Sequence, residues 1–142
     1  MTECIFCKII QGEIPSAKVY EDEVVYAFLD ITQVTPGHTL VIPKQHVANI
    51  FEYDAELAAQ VWARIPKIAR ALQAAFPEMQ GLNILNNNGE VAYQSVFHSH
   101  FHLIPRYQKE EGFGLKFENN MASYTPESFQ ATAEQVAAQL EA

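Results

Sequence analysis

The chain has few basic residues, few cysteines and no long apolar run, and each shortage removes a class of function. Its 9 lysines and arginines stand against 17 acidic residues, so the 142 residues carry a formal net charge of −8. Binding to a nucleic-acid backbone depends on clustered lysine and arginine, so the sequence predicts no nucleic-acid partner. No apolar run approaches the roughly 20 residues of a membrane-spanning helix, so no membrane partner is predicted either.

Only two cysteines occur, Cys4 and Cys7. The first eight residues have no basic start and Lys8 interrupts their apolar stretch, so we expect a cytoplasmic location. A disulfide between residues three apart is not expected in that reducing compartment, which leaves a metal site, a redox pair or two packed cysteines. A redox motif of this spacing usually lies in a strand-helix-strand unit, which this segment does not supply. Zinc is therefore the preferred interpretation, with His46 and one further histidine completing a Cys2His2 set.

The length is typical of one domain, which we expect to span residues 1–142. Segments rich in β-branched and aromatic residues between turn formers predict five strands at Ala17–Tyr20, Val24–Asp30, Thr39–Pro43, Leu82–Asn86 and Phe97–Ile104. Together with the helices below, they predict an α+β fold with a mainly antiparallel sheet of about five strands.

Two helices are predicted. One runs from Asp54, a capping residue, to Phe76, because apolar residues recur at helical spacing. Pro66 cannot donate to the preceding turn, so we expect the helix to bend there or to break in two. A second helix begins near Thr125, and its polarity predicts a flank packed onto the domain.

Three of the five histidines follow one another at every second residue: His98, His100 and His102. On a strand they would line one face, a spacing that ordinary surface histidines do not explain. Three successive positions on one face span about 13 Å, too far to bind one metal ion without bending. The spacing fits three histidines with separate roles better. One imidazole would be a nucleophile toward phosphorus, and its neighbours would orient it and bind the phosphate.

Five ordered motifs then identify a resemblance. They are Ile5-Phe6-Cys7-Lys8-Ile9-Ile10, Phe28-Leu29-Asp30-Ile31, Pro36-Gly37-His38-Thr39-Leu40-Val41-Ile42-Pro43-Lys44, Gln94-Ser95-Val96 and His98-x-His100-x-His102-Leu103-Ile104-Pro105. Together they resemble the histidine triad family of nucleotide-binding proteins, closest to bacterial members of its nucleoside phosphoramidase branch. The match covers about residues 4–107 and leaves 108–142 as a C-terminal flank. Ser99 departs from the family pattern, which has a hydrophobic residue there, but it faces away from the site.

The resemblance implies a role for each matching residue. His100 would attack the α-phosphorus, His102 would stabilise the charge that develops on the phosphate, and Ser95 would donate near the leaving group. The nucleotide-binding residues implied by the motifs are Asp30 for the ribose hydroxyls, Asn87 for the phosphate, Phe6, Ile9 and Ile31 for the base, and Gln94 of the Gln-Ser-Val motif. In zinc-containing members the metal ligands match Cys4, Cys7, His46 and His98. His38 has no implied role, and we expect it to lie in solvent.

The function implied is hydrolysis of purine nucleoside 5′-phosphoramidates or related conjugates, which releases a nucleoside monophosphate such as AMP. Two alternatives use the same histidine: a dinucleoside polyphosphate hydrolase and a nucleotidyl transferase. A third, of another class, is a zinc-bearing nucleotide sensor or interaction module. The resemblance also implies a two-fold homodimer whose sheets join edge to edge.

Overall fold

The computed structural model describes residues 3–141, so residues 1, 2 and 142 of the expected domain lie outside the described range. The fold is α+β, as predicted, with five antiparallel strands in the order β1-β2-β3-β5-β4. The strands are β1 (Lys18–Glu21), β2 (Val25–Leu29), β3 (Thr39–Pro43), β4 (Gly81–Leu85) and β5 (Phe101–Arg106). The helices of more than one turn are α1 (Ile5–Ile10), α2 (Ala55–Ala75) and α3 (Pro126–Ala137). No helix among residues 3–141 is long and apolar enough to cross a membrane.

Helix α2 covers one face of the sheet. Asp54 caps it by accepting from the backbone N–H of Leu57, as predicted, and five apolar side chains at helical spacing are buried: Leu57, Val61, Ile65, Ile68 and Leu72. Each contributes about 1.5–3 kcal/mol by leaving water. The helix continues through Pro66, so the predicted break is wrong, while the alternative of a bend there stays a prediction. Pro66 lies on the exposed side, while Ile65 and Ile68 anchor both halves to the core.

Helix α1 covers the opposite face, and the sequence predictions missed it. Cys4 is its N-cap, with Sγ accepting from the backbone N–H of Cys7. Phe6 and Ile9 are buried against alternate residues of the central strands, among them Phe28 and Leu40. The site described below lies on this side of the sheet.

Strand β5 is shorter than its prediction. Phe97–Ile104 was expected to be extended throughout, but the strand begins at Phe101. The prediction is wrong because the backbone N–H of Ser99 donates to the carbonyl of Val47 (2.7 Å) instead of joining the ladder. The Ser99 hydroxyl is fully buried against the Tyr53 hydroxyl, 2.9 Å away.

Helix α3 does not pack onto the domain, so that prediction is also wrong. It has a capping box between Thr125 and Ser128, but none of its residues is buried. It ends an arm, residues 114–141, in which every residue except Ser128 is exposed.

Candidate active site

The three predicted histidines do form a row, although only His102 belongs to a strand. The ring centroids of His100 and His102 are 5.2 Å apart. Phe6 of α1 packs edge-on against both His98 and His100, with centroid separations of 5.9 and 5.1 Å. The row therefore lies between the sheet and α1.

The hydrogen bonds of His100 fix which of its ring nitrogens carries the proton. Its Nδ1 lies 2.8 Å from the carbonyl oxygen of His98, which can only accept. Nδ1 of the neutral ring is therefore the donor, and Nε2 keeps its lone pair. Burial lowers the pKa of His100, which keeps the ring neutral near pH 7. Asn86 supports this arrangement by donating to the carbonyl of His100 (2.9 Å).

His38 orients His102 and is not in solvent. It is 2% exposed, so the expectation of a solvent histidine is wrong. Its Nδ1 accepts from the backbone N–H of Val34 (3.2 Å), so the neutral ring carries its proton on Nε2. That Nε2–H donates to Nδ1 of His102 over 2.9 Å. Neutral His102 must then carry its own proton on Nε2, which makes it a hydrogen-bond donor.

The charge state of His102 follows from its surroundings. Burial, together with the neighbouring His100 and His38, lowers its pKa to about 4, while Asp30 opposes the shift. One Asp30 carboxylate oxygen lies 3.6 Å from His38 Nε2 and 3.9 Å from His102 Nδ1. Burial alone would raise the pKa of Asp30, but hydrogen bonds from the hydroxyl and N–H of Thr32, together with the electrostatic influence of His38 and His102, hold it below its usual value. The site thus combines neutral imidazoles with one carboxylate.

The loop between β2 and β3 sets the position of His38. Gln33, at a positive φ of 39°, donates to the carbonyls of Asp30 and His38 and accepts from the N–H of Gly37. Gly37 also has a positive φ of 93°, and a Cβ there would stand 2.9 Å from the Phe76 ring. The turn therefore needs glycine immediately before His38.

A cavity of about 600 Å3 opens beside the row. Seven predicted catalytic or nucleotide-binding residues line it: Phe6, Ile9, Asp30, Ile31, Ser95, His100 and His102. Ile31 is 99% exposed, so it stands at the rim and not in the core. The cavity has an apolar side from α1 and a polar side from the row, which is the arrangement typical of small-molecule sites.

Gln94 and Asn87 do not line this cavity. Gln94 is buried, and its amide donates to the carbonyls of Ala48 and Val96 and accepts from the N–H of Gly89. Its side chain is therefore committed to the loop that carries Ser95. Asn87 makes a long contact of 3.4 Å to the carbonyl of Tyr93.

The four predicted metal ligands come together. Cys4, Cys7, His46 and His98 each offer one donor atom, and all four atoms lie within 4.8 Å of one another. The two imidazole Nδ1 atoms are 3.2 Å apart, and each thiol lies 3.4 Å from one of them. In a tetrahedral zinc site the corresponding separations are about 3.3 Å between nitrogens and about 3.6 Å between nitrogen and sulfur. The residues fit such an ion.

The proton positions of His98 also suit a metal ligand. Its Nε2 donates to the carbonyl of Pro43 over 2.8 Å, which leaves the Nδ1 lone pair facing the thiols. Burial lowers the pKa of His98 to about 4, helped by His46 and His100. Burial and the neighbouring Cys4 raise the pKa of the Cys7 thiol to about 11, so a thiolate there needs a cation beside it.

Comparisons with known proteins agree with this geometry. Residues 11–109 match the HIT domain model. The crystal structure of a HIT family protein from Bacillus subtilis is 58% identical, covers 99% of both chains and superposes with a TM-score of 0.95. The adenosine 5′-monophosphoramidase hnt1 of Schizosaccharomyces pombe is 39% identical over 96% of this chain and 98% of its own. A zinc-bound histidine triad family protein from Mycobacterium smegmatis is 34% identical, with a TM-score of 0.74 over 98% of this chain and 99% of that one. With its row of histidines, its two-sided cavity and these similarities over nearly its whole length, the chain belongs to the histidine triad family.

Proposed function

We propose that this chain is a nucleotide hydrolase that cleaves purine nucleoside 5′-phosphoramidates and releases the nucleoside monophosphate. The observation that carries the proposal is the hydrogen bond from His100 Nδ1–H to the His98 carbonyl, because it leaves an unprotonated Nε2 on a neutral ring beside the cavity. The Schizosaccharomyces pombe relative is an adenosine 5′-monophosphoramidase, which supports the substrate class.

The reaction would proceed in two displacements at phosphorus. His100 Nε2 attacks the α-phosphorus, the bond to the leaving amine breaks, and the amine takes up a proton from solvent. Water then attacks the phosphorus of the nucleotidyl-histidine, the bond to His100 Nε2 breaks, and the proton of the attacking water passes to solvent, which restores neutral His100 and releases AMP. Neutral His102, with its proton held on Nε2, would donate to a phosphate oxygen as charge develops. Ser95, on the cavity wall, would donate near the leaving group.

Binding of the nucleoside would use the rest of the cavity. Phe6, Ile9 and Ile31 supply apolar surface for the base. Asp30 already accepts from the Thr32 N–H and hydroxyl through one oxygen, and an ionised carboxylate has about four acceptor positions, so the ribose hydroxyls can still be bound. Asn87 remains our candidate for a phosphate contact, while Gln94 would act by holding the loop of Ser95.

We propose zinc as the ion for Cys4, Cys7, His46 and His98. A Cys2His2 donor set with these separations suits zinc, and the Mycobacterium smegmatis relative is zinc-bound. The ion would supply a structural cross-link between α1 and the body of the domain. Both thiols are free, which agrees with a reducing compartment such as the cytoplasm.

A homodimer joined through β4 is our proposal for the assembly. Strand β4 lies at one edge of the sheet, and its sequence has neither a charge nor a proline to protect that edge. The opposite edge strand, β1, carries Lys18 and Glu21. Ile84 of β4 is also 43% exposed, which favours pairing at this edge.

The decisive experiment compares the parent with His100→Ala on an adenosine 5′-phosphoramidate. We expect AMP release to be lost in the variant while AMP binding, measured by calorimetry, is retained. Rapid acid-free quenching and intact mass spectrometry should show one nucleotidyl adduct on the parent and none on the variant. Substantial turnover by His100→Ala would remove His100 as the nucleophile. Tight AMP binding by a parent without turnover would favour the sensor alternative, and preferential cleavage of a dinucleoside polyphosphate would favour that hydrolase.

A further inference from the structure

Two asparagines that follow β4, Asn86 and Asn88, connect the row of histidines to the short helical turn before α2. The backbone N–H of Ile50 in that turn donates to Asn88 Oδ1 over 2.7 Å. Asn88 Nδ2 donates to Asn86 Oδ1 over 2.7 Å and lies 3.3 Å from the Asn86 carbonyl oxygen. Asn86 Nδ2 then donates to the His100 carbonyl over 2.9 Å. Three hydrogen bonds thus link Ile50 to His100 through two side chains, which we call the asparagine pair.

The two ends of this chain of hydrogen bonds fix the direction of each amide. A backbone N–H can only donate, so the atom of Asn88 that faces Ile50 must be its oxygen. The amide nitrogen of Asn88 therefore faces Asn86, which accepts through Oδ1 and donates through Nδ2. At the other end the carbonyl of His100 can only accept, which agrees with that direction. Reversing either amide would place two donors or two acceptors against each other.

The position of the pair in the fold explains its use. Pairing of β4 with β5 ends at Leu85, opposite His102, and β5 itself begins at Phe101. His100 therefore lies just outside the strand, and the Asn86 side chain supplies a hydrogen bond to its backbone there. His100 is 5% exposed and closely packed, so a movement of its backbone would be transmitted to its ring.

We propose that the asparagine pair positions the nucleophile: Asn86 fixes the backbone of His100, and Asn88 fixes the direction of the Asn86 amide. The inference rests on the proposed function, because His100 is the residue that would attack phosphorus. Neither asparagine lines the cavity, so both are positioning residues that act through His100 and not on the nucleotide. A misplacement of about 1 Å costs about 100-fold in rate, so a shift of about half that size would lower kcat by about tenfold.

Two substitutions interrupt the chain of hydrogen bonds at different points. Asn86→Leu removes the donor to His100, so kcat should fall by about tenfold while AMP affinity in calorimetry changes by less than about threefold. Asn88→Asp can still accept from Ile50 but cannot donate. The Asn86 amide should then turn its nitrogen toward the new carboxylate and its oxygen toward His100, and kcat should fall by a similar factor.

A control and a double variant separate the pair from an effect of charge. Asn49→Asp adds the same charge next to Ile50, and its carboxylate can still accept from the Phe51 N–H, so it should keep the kcat of the parent. In the double variant, Asn86→Leu has already broken the chain of hydrogen bonds. Adding Asn88→Asp to it should therefore lower kcat no further.

The proton on His100 Nδ1 gives a readout that does not require turnover. In nitrogen-15 spectra it should exchange with water at least about tenfold faster in Asn86→Leu and in Asn88→Asp than in the parent, because the ring is held less firmly.

Parent values of kcat and of proton exchange in Asn86→Leu would overturn the proposal. A double variant in which the two losses of kcat multiply would also overturn it, because Asn88 would then act separately from Asn86. A parent without turnover would contradict the proposed function, and proton exchange at His100 would then decide by itself whether the pair holds this residue.

Discussion

Replacing His38 by phenylalanine keeps a ring in its place and removes both ring-nitrogen hydrogen bonds that the side chain makes. The change leaves the N–H of Val34 and Nδ1 of His102 without their partner. An unpaired buried polar group costs about 1–3 kcal/mol, and both groups here are only partly buried, so we expect the free energy of unfolding to fall by about 1–3 kcal/mol in total. Urea denaturation of the two proteins measures this loss.

The effect on catalysis is expected to be separate from the effect on stability. A hydrogen bond worth about 0.5–1.5 kcal/mol biases the His102 tautomer by about 2- to 12-fold, so its loss should lower the fraction of His102 with the proton on Nε2 from up to about 0.9 to about one half, and kcat should fall by up to about twofold. AMP affinity should change little, because His38 does not line the cavity. Nitrogen-15 chemical shifts of His102 should show the proton held on Nε2 in the parent and distributed over both nitrogens in the variant.

A matched variant distinguishes orientation from simple packing. Glutamine can place an N–H close to where His38 Nε2 stands, so His38→Gln should recover part of kcat and of the tautomer signal. The reasoning is refuted if His38→Phe has the kcat and the nitrogen-15 spectrum of the parent, or if the glutamine and phenylalanine variants behave alike in the nitrogen-15 spectrum.

Three further outcomes are expected. Asp30→Ala should weaken the binding of AMP by about tenfold in calorimetry, and should weaken the binding of its 2′,3′-dideoxy analogue far less, because a ribose contact requires the hydroxyls. Equal losses of affinity for the two ligands would show that Asp30 has a structural role. Protein purified without chelator should contain about one zinc per chain by elemental analysis. Cys7→Ser should remove the zinc and lower the melting temperature. A metal-free parent that melts at the same temperature as the variant would contradict the proposed cross-link. Burial alone would raise the pKa of Asp22, but hydrogen bonds from the Val25 N–H and from Arg64 hold it well below its usual range. The ionised carboxylate therefore stabilises the folded protein fully above about pH 4, and this stabilisation is lost as the pH falls further. Asp22→Asn should therefore be about 1–3 kcal/mol less stable than the parent at pH 7 in urea denaturation and should lose less than the parent below pH 4; parallel profiles would contradict this assignment.

The sequence predicted those parts of the site that lie within one motif or were matched by the family resemblance. The row of three histidines and the four candidate metal ligands were recognised in this way, and the four ligand atoms converge in the structure. The five strands were predicted from local alternation of residue types. His38 was missed because its partner, His102, is 64 residues away along the chain. Only the pairing of β3 with β5, which sets Leu40 opposite His102, brings the two together.

Local patterns also failed where tertiary contacts overrode them. The alternation of histidines resembles a strand, yet Ser99 donates to Val47 and the chain joins the sheet two residues later. The polar sequence of α3 suggested a packed flank, but polarity alone does not place a helix against its own domain, and no residue of α3 is buried. Helix α1 could have been found from the spacing of Ile5, Ile9 and Phe6 after a capping Cys4, although a cap made by cysteine is an unusual signal.

Helix α1 has a consequence for how the two proposed ligands, the metal and the nucleotide, would affect each other. Six residues long, it carries the proposed metal ligand Cys7 on one side and the cavity residues Phe6 and Ile9 on the other. A bound metal would contribute free energy to fixing this helix. An incoming nucleotide would then not have to supply that free energy. Binding linkage is reciprocal, so a nucleotide that orders α1 must tighten the hold on the metal by the same factor. If both proposals hold, the two sites form one thermodynamic cycle, in which the metal content of a preparation sets its apparent affinity for nucleotide.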